Sequence, residues 1–172
     1  MTPLERIWNG WRGDYVVAAG SHRADDGASV FTQILRSGMP DEECYVIHRG
    51  QHVFALLNAF PYISGHLMVV PYRQIPTVED LTPEEHADLW SAVTDAVRAV
   101  KAAYRPGGVN IGVNLGQAAG GSVNEHLHVH VLPRWSGDGN FMTSVANART
   151  LPEALEISAA KLRAAWSGCA TI

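Results

Sequence analysis

Residues 126–131 read His126-Leu127-His128-Val129-His130-Val131, so that three histidines alternate with three aliphatic residues. This alternation has the period of a β-strand and predicts that the three imidazoles face one side of it. Residues on one face of a strand lie about 7 Å apart, which lets three rings surround one small anionic group. The stretch therefore predicts a reactive face on a strand whose other, hydrophobic face is anchored in the core.

The chemistry of imidazole favours a functional role for this face. The ring is mostly neutral near pH 7, yet it can attack an electrophile, donate a proton or bind a metal. Two alternatives remain open. A half-exposed strand could carry alternating histidines without any function, since the chain has eight of them. His-x-His on a strand is also an arrangement that binds zinc, which takes three or four N, S or O ligands.

The composition of the chain predicts one globular domain over residues 1–172. Hydrophobic residues make up 47% of the sequence and charged residues 17%, which is ordinary for a domain with its own core. The formal net charge of −4 gives no general attraction to a nucleic-acid polymer or to an anionic membrane, so neither is expected as a partner. A phosphate-bearing ligand must then be held by a few local donors, which favours a small-molecule pocket.

The N-terminus and the cysteines bear on location. Residues 1–11 lack the basic segment and the apolar stretch of a secretory signal, and no apolar run reaches the length of a membrane span. A cytoplasmic location is therefore expected. Cys44 and Cys169 are too few for a disulfide framework and too far apart in sequence for a Cys-x-x-Cys metal site. We expect both to be reduced thiols.

The segments around the histidine stretch predict an antiparallel sheet. Apolar runs bounded by turn residues predict five strands, over residues 44–48, 52–57, 66–71, 109–115 and 126–132. Pro133 should close the last strand because it lacks a backbone N–H for the ladder.

A long helix is predicted between the third and fourth strands. Thr82-Pro83-Glu84-Glu85 has the order of a capping box with proline at the first helical position. Apolar residues then recur at helical spacing as far as Tyr104, which predicts a helix from Pro83 to Tyr104.

The two ends of the chain are predicted to carry shorter helices. Helical spacing indicates a short helix over residues 4–11, within an N-terminal helix-and-loop region 1–43, and a C-terminal helix over residues 151–166. The predicted fold is α+β, an antiparallel sheet of about five strands with one long helix and shorter terminal helices. Its core is expected to span about residues 44–135.

A run of small residues, Gly120-Gly121-Ser122, lies just before the histidine stretch. Unhindered backbone N–H groups in such a run can converge on an anion, and the hydroxyl of Ser122 adds another donor. The run is not a Walker loop, because the chain contains neither Gly-Lys-Ser nor Gly-Lys-Thr. It predicts half of a phosphate cradle, with a plain turn as the alternative.

These residues also carry a resemblance to a known family. Residues 122–133, SVNEHLHVHVLP, resemble the signature of the histidine triad (HIT) family of nucleotide hydrolases and transferases. Three other segments agree with that family in order and spacing: residues 55–58 (ALLN), 65–71 (GHLMVVP) and 81–85 (LTPEE). The resemblance covers residues 52–135.

The resemblance implies an enzyme that cleaves dinucleoside polyphosphates at the α-phosphate through a covalent nucleotidyl-histidine. Residues 4–8 and 133–138 are similar to a bacterial branch of the family that phosphorolyses diadenosine tetraphosphate to ADP and ATP. Many relatives carry a Cys-x-x-Cys zinc knuckle near the N-terminus, but residues 28–32, ASVFT, contain no cysteine. No structural metal and no cofactor are therefore expected.

The middle histidine of the signature is the family's nucleophile, which implies this role for His128. A neutral imidazole approaches a polyphosphate without the repulsion that a carboxylate would meet, and its phosphoramidate is labile enough for a second acceptor to resolve. The resemblance implies that the carbonyl of His126 holds the reactive tautomer and that His130 hydrogen-bonds the α-phosphate or the bridging oxygen. His66 would complete the polar cluster from the neighbouring strand, with a purely structural role as its alternative.

Asn58 is a candidate for binding the ribose, because it matches the family position that does so. Its amide offers both a donor and an acceptor to a diol. The neighbouring apolar residues Phe54, Leu56 and Phe60 would suit a base. A turn residue at the end of a strand is the alternative interpretation.

Four further residues are candidates for substrate contacts. Asn114, Gly121 and Ser122 resemble the family's phosphate contacts around the glycine run. Trp135 could stack on a base, although a tryptophan after a strand is also a common core residue.

The function expected from the sequence is nucleotidyl transfer from a dinucleoside polyphosphate to inorganic phosphate, giving ADP and ATP from diadenosine tetraphosphate. Transfer to water, hydrolysis of a nucleoside phosphoramidate, and a non-catalytic nucleotide- or metal-binding module are the alternatives. The resemblance also implies a homodimer or higher homo-oligomer, with the helix from Pro83 to Tyr104 or a sheet edge supplying the contact.

Overall fold

Five antiparallel strands form a single sheet in the computed structural model, which describes residues 26–119, 123–138 and 153–167. The strands are β1 (Val46–Arg49), β2 (Val53–Leu57), β3 (Leu67–Pro71), β4 (Gly108–Val113) and β5 (Val129–Arg134). Their order across the sheet is β1-β2-β3-β5-β4. The strand that carries the histidine stretch therefore lies inside the sheet, between β3 and β4.

Within these described ranges, three α-helices accompany the sheet: α1 (Val30–Arg36), α2 (Pro83–Tyr104) and α3 (Leu155–Ser167). The predicted capping box begins α2, because Thr82 and Glu85 each accept a hydrogen bond from the other's backbone N–H. Arg73 holds the Glu85 carboxylate with two hydrogen bonds, of 2.9 and 2.6 Å. No helix of the described residues is long and apolar enough to cross a membrane.

The sheet separates two apolar clusters. On one face, Leu127, Val129 and Val131 belong to the main core, which α2 and α3 cover. On the other face, a smaller cluster packs Phe31 of α1 against strands β1 to β3. The histidines alternate with the residues of the main core, so they lie on the face of the smaller cluster.

The structure confirms the predicted fold class. It also confirms the long helix from Pro83 to Tyr104, and α3 corresponds to the predicted C-terminal helix. The helix predicted over residues 4–11 lies outside the described residues. The single domain over residues 1–172 stays a prediction.

The bounds of β1 to β3 and of α3 differ from the predicted ranges by up to four residues. Three further details differ from the predictions. Strand β5 begins at Val129 rather than at residue 126, and it continues through Pro133 to Arg134. Pro133 does not end it, because β5 stays paired with β4 beyond the end of its ladder with β3, with Pro133 opposite Val109 and Arg134 opposite Gly108. Helix α1 was also not predicted, since residues 1–43 were assigned to one earlier helix and a loop. Strand β4 is shifted, from the predicted 109–115 to Gly108–Val113.

Candidate active site

His128 directly precedes β5 and is buried. Its Nδ1 lies 2.8 Å from the carbonyl oxygen of His126. Because a carbonyl oxygen only accepts, Nδ1 carries the proton and Nε2 keeps its lone pair. Among the described residues, Nε2 has no hydrogen-bond partner. Burial lowers the pKa of His128, although the hydrogen bond to His126 opposes the shift. The ring is therefore a neutral base of fixed tautomer with a free nitrogen.

A second chain of hydrogen bonds orients His130 through His66. The backbone N–H of Tyr62 donates to Nδ1 of His66 across 3.1 Å, so the proton of the neutral His66 ring is on Nε2. That nitrogen lies 2.9 Å from Nδ1 of His130 and donates to it. The proton of His130 must then be on Nε2, which is buried without a partner among the described residues. His130 thus presents an unpaired N–H donor.

The rings of this cluster are held in their neutral forms. Burial lowers the pKa of His66 to about 3, and the neighbouring rings of His130 and His128 add to the shift. Burial also lowers the pKa of His130 to about 4, again with a contribution from His128. Three imidazoles in contact cannot all be charged, because each cation would disfavour the next. The tautomers derived above therefore apply at neutral pH.

His126 is fixed at both ring nitrogens. Its Nε2 lies 2.8 Å from the carbonyl oxygen of Pro71 and donates to it, and its Nδ1 accepts from the hydroxyl of Ser29 across 2.6 Å. The ring of Phe31 packs against both His126 and His128, with centroid distances of 5.4 and 5.2 Å. The segment before β5 is thus tied both to the end of β3 and to the start of α1.

The structure brings together the four candidate catalytic histidines, His66, His126, His128 and His130. Their rings lie on one face of β3 and the start of β5, as the alternation predicts. The rings of His128 and His130 have centroids 4.8 Å apart, and those of His66 and His130 are 5.0 Å apart. The chemical roles given to these rings stay predictions.

The candidate substrate contacts are more dispersed. Asn58 follows β2 and donates its backbone N–H to the carbonyl oxygen of His66. Its side-chain oxygen accepts from the backbone N–H of Phe60 in a tight turn. Asn114 follows β4 and is half-buried. Gly121 and Ser122 lie outside the described residues. Trp135 follows β5 and packs against Tyr104 at a centroid distance of 6.2 Å, at the end of the strand away from His128.

Two of the residues expected to surround a base are enclosed in the core. Phe54 and Leu56 are 0% and 2% exposed, and they belong to the smaller apolar cluster beneath α1. Phe54 stacks on Tyr72 at a centroid distance of 5.4 Å. The helix that covers these two side chains was not predicted, and their place around a base stays a prediction.

Sequence reasoning missed four side chains around the histidines: Ser29, Phe31, Tyr62 and Gln74. The ring of Tyr62 lies over His66 at a centroid distance of 4.7 Å, and it is partly exposed. A serine before an apolar segment is a helix N-cap signal, and it could have located Ser29 and with it α1. The other three carry no signal of their own in the sequence.

The zinc alternative can be compared with these contacts. Nε2 of His66 and Nδ1 of His128 and of His130 are all engaged in hydrogen bonds. Within the described ranges, no three His, Cys, Asp or Glu side chains are grouped so that they could hold a metal ion.

A comparison with known proteins identifies the class to which this fold and this site belong. A family model described as the HIT domain matches residues 40–137. The chain belongs to the HIT family and is an enzyme of that family. It is similar to a Mycobacterium tuberculosis protein named AP-4-A phosphorylase, with 44% identity over 168 residues that cover 95% of this chain and 85% of that protein.

Other relatives match shorter stretches or match through structure. A Dictyostelium discoideum protein named bis(5'-adenosyl)-triphosphatase is 40% identical over 81 residues, which are 47% of this chain and 54% of that protein. A zinc-bound histidine triad family protein from Mycobacterium smegmatis superposes with a TM-score of 0.67 at 29% identity, covering 83% of this chain and 95% of that one. A Hit-like protein from Bartonella henselae superposes with a TM-score of 0.65 at 29% identity, covering 79% and 94%.

Proposed function

We propose that this enzyme transfers a nucleotidyl group from a dinucleoside polyphosphate to inorganic phosphate, and that diadenosine tetraphosphate is its substrate. The proposal rests on one feature of the site, the Nε2 of His128. This nitrogen has no hydrogen-bond partner among the described residues, and the carbonyl of His126 fixes the tautomer of the ring. The name of the 44% identical relative, AP-4-A phosphorylase, supports the substrate and the acceptor.

In the first step, Nε2 of His128 attacks the α-phosphorus of one adenosine. The nitrogen–phosphorus bond forms, the bridging phosphorus–oxygen bond breaks, and ATP leaves with the electron pair of that bond. The imidazole becomes positively charged, and the carbonyl of His126 stabilises it through Nδ1–H. The free N–H of His130 donates to the α-phosphate or to the leaving oxygen, where negative charge increases.

In the second step, an oxygen of inorganic phosphate attacks the same phosphorus. The nitrogen–phosphorus bond breaks, its electron pair returns to Nε2 of His128, and ADP leaves. The enzyme is regenerated and the overall products are ADP and ATP. The roles of Asn58 at the ribose, of Asn114, Gly121 and Ser122 at the phosphates, and of Trp135 at a base belong to this proposal.

Hydrolysis is the second candidate, because water can replace phosphate as the acceptor. Relatives named bis(5'-adenosyl)-triphosphatase and bis(5'-nucleosyl)-tetraphosphatase support it. The third histidine of the triad, His130, also favours it, since transferases that resemble this family often carry glutamine there.

One experiment separates the candidates. The purified protein is incubated with diadenosine tetraphosphate, with and without inorganic phosphate, and the products are separated. ADP and ATP formed only with phosphate support phosphorolysis, whereas AMP and ATP formed without it support hydrolysis. AMP bound to a histidine should be trapped from the wild-type protein and be absent from His128→Ala. A His128→Ala variant with full turnover would overturn the mechanism. If the protein turns over adenosine phosphoramidate but not diadenosine tetraphosphate, the proposed substrate is wrong.

We further propose that two copies of the chain associate through β4. This strand is at the edge of the sheet, and no described residue pairs with its outer side. Ile111 pairs with Val131 and so faces the side of α2, yet it is 48% exposed, and Trp90 on α2 is 43% exposed. Exposed apolar side chains beside an open strand edge favour association. Light scattering should give the mass of a dimer for the wild type and that of a monomer for Ile111→Asp.

A further inference from the structure

Four polar side chains form one hydrogen-bonded group beside the histidines, which we name the Ser29 cluster: Ser29, Thr32, Gln74 and His126. Oγ of Ser29 lies 2.6 Å from Nδ1 of His126. The side-chain oxygen of Gln74 accepts from the backbone N–H of Ser29 across 2.8 Å and from the hydroxyl of Thr32 across 3.0 Å. The amide nitrogen of Gln74 donates to the carbonyl of Gly27 across 3.0 Å. Both Ser29 and His126 are buried.

The direction of the bond between Ser29 and His126 follows from the tautomer of His126. Nε2 of His126 donates to the carbonyl of Pro71, so Nδ1 has only a lone pair to offer. Ser29 must therefore donate its hydroxyl proton to His126. The same Ser29 oxygen accepts from the backbone N–H of Thr32, as the N-cap of α1. One hydroxyl thus begins the helix and fixes the ring.

This bond matters because the sheet does not hold His126. The ladders of β5 with β3 and with β4 both begin at Val129, three residues later. The carbonyl of His126 must nevertheless point at Nδ1 of His128. The backbone around it is held by the side-chain bonds of His126 and by one bond from the N–H of Leu127 to the carbonyl of Ile75, of 2.6 Å. The Ser29 cluster therefore holds the segment around His126 in place, as the hydrogen bonds of the sheet hold β5 from Val129 onwards.

We propose that Ser29 and Gln74 are positioning residues for nucleotidyl transfer, which hold the His126 carbonyl against Nδ1 of His128 and so keep Nε2 of His128 unprotonated and aimed at phosphorus. This inference rests on the proposed function, in which His128 is the nucleophile. Neither residue touches the reacting atoms. Ser29 acts through the ring of His126, and Gln74 acts through the backbone of Ser29.

The first test is the variant Ser29→Ala, with Ser37→Ala as its matched control. Ser37 ends the same helix, and its hydroxyl bonds only locally to Ile34 and Met39 on the surface. We expect Ser29→Ala to lower kcat about tenfold with little change in KM, because the lost bond orients the nucleophile and does not bind substrate. Ser37→Ala should keep the wild-type kcat. Ser29→Thr, which retains both the hydroxyl and the N-cap, should restore most of it.

The second measurement does not depend on activity. Nitrogen-15 spectra of histidine-labelled protein distinguish the Nδ1–H from the Nε2–H tautomer of each ring. The wild type should show Nε2–H for His126 and Nδ1–H for His128. Ser29→Ala and Gln74→Met should both give a mixture of tautomers at His128. If Ser29→Ala does not fold, Ser29→Gly replaces it, because glycine caps a helix nearly as well.

The outcomes separate the two proposals. Active wild-type protein, together with unchanged kcat and an unchanged His128 signature in Ser29→Ala, would overturn the positioning role alone. Wild-type protein without turnover and without a nucleotidyl-histidine would overturn the proposed function. In that case the nitrogen-15 spectra of Ser29→Ala would still test the positioning of His128. A mixture of tautomers at His128 would support it, and a single tautomer would overturn it.

Discussion

Nε2 of His66 donates a hydrogen bond to Nδ1 of His130 across 2.9 Å, and this bond decides which nitrogen of His130 carries its proton. The consequence is a buried N–H on His130 with no acceptor among the described residues. Leaving such a donor unpaired costs about 1–3 kcal/mol. A phosphate oxygen would satisfy it, so the folded protein carries an unfilled hydrogen-bond donor that a bound nucleotide can use.

Replacing His66 should therefore impair catalysis without removing any contact to substrate. In His66→Phe the ring of His130 loses its fixed donor and can place its proton on either nitrogen. We expect kcat to fall at least about tenfold, since one oriented hydrogen bond is lost. His66→Gln keeps an N–H donor and an acceptor for the backbone of Tyr62, so it should lose less. Equal losses of kcat in the two variants would contradict this role.

The stability of the fold should depend on pH through the buried rings. Burial lowers the pKa of His66 to about 3 and that of His130 to about 4. Below the ordinary value of about 6.5, the unfolded chain binds protons that the folded chain excludes, so the free energy of unfolding falls as pH falls. Above that value the contribution is fully present. Each ring can contribute up to about 1.4 kcal/mol per pH unit.

Urea unfolding at pH 7.5, 6.0 and 5.0 measures this slope. The lowered pKa of Glu85, at about 2, does not interfere, because carboxylates of ordinary pKa are still ionised in this range. We expect His130→Asn to show a shallower slope than the wild type, since one buried ring is removed. A wild-type free energy of unfolding that is constant between pH 7.5 and 5.0 would rule out neutral buried rings.

The first chemical step should tolerate mild acid. Burial lowers the pKa of His128, so Nε2 keeps its lone pair below the pH at which a solvent-exposed imidazole is protonated. The rate of nucleotidyl-enzyme formation, measured in a single turnover without phosphate, should therefore fall with a midpoint below the ordinary histidine pKa of about 6.5. A decline of this rate centred at the ordinary histidine pKa would mean that the ring of His128 is exposed to water rather than buried.

Much of this site follows from local patterns in the sequence. The alternation in residues 126–131 predicts which face carries the imidazoles, because a two-residue period has only one interpretation in extended chain. The capping box at Thr82 predicts the start of α2, since both of its hydrogen bonds lie within four residues.

The parts that were missed depend on contacts between distant segments. The bond from Ser29 to His126 spans 97 residues, and nothing near Ser29 in the sequence indicates that partner. The burial of Phe54 has the same origin, because only the packing of α1 distinguishes it from a residue that faces a pocket. Strand β5 begins at Val129, three residues after the alternating pattern begins at His126. Alternation is a property of the sequence alone, whereas a strand also needs neighbouring strands that extend far enough to pair with it.

Gly65 should not tolerate alanine. Its φ of +80° is a left-handed conformation, and a Cβ there would lie 2.6 Å from the ring of Tyr104. The backbone strain alone costs about 1–2 kcal/mol for an L-residue, and the overlap adds to it. We expect Gly65→Ala to lower the free energy of unfolding by about 2–4 kcal/mol in urea titrations. Adding Tyr104→Ala should relieve the overlap, so the two effects should be less than additive, and strict additivity would exclude the clash.

Ser64 offers the opposite case, a substitution that should stabilise the protein. Its hydroxyl is buried next to the turn that begins β3 and has no hydrogen-bond partner among the described residues. Burying an unpaired hydroxyl costs free energy, so Ser64→Ala should raise the free energy of unfolding by about 1 kcal/mol. The exposed Ser136→Ala should change it by less than about 0.5 kcal/mol. If Ser64→Ala instead lowers kcat without changing stability, the hydroxyl contributes to the reaction rather than costing stability.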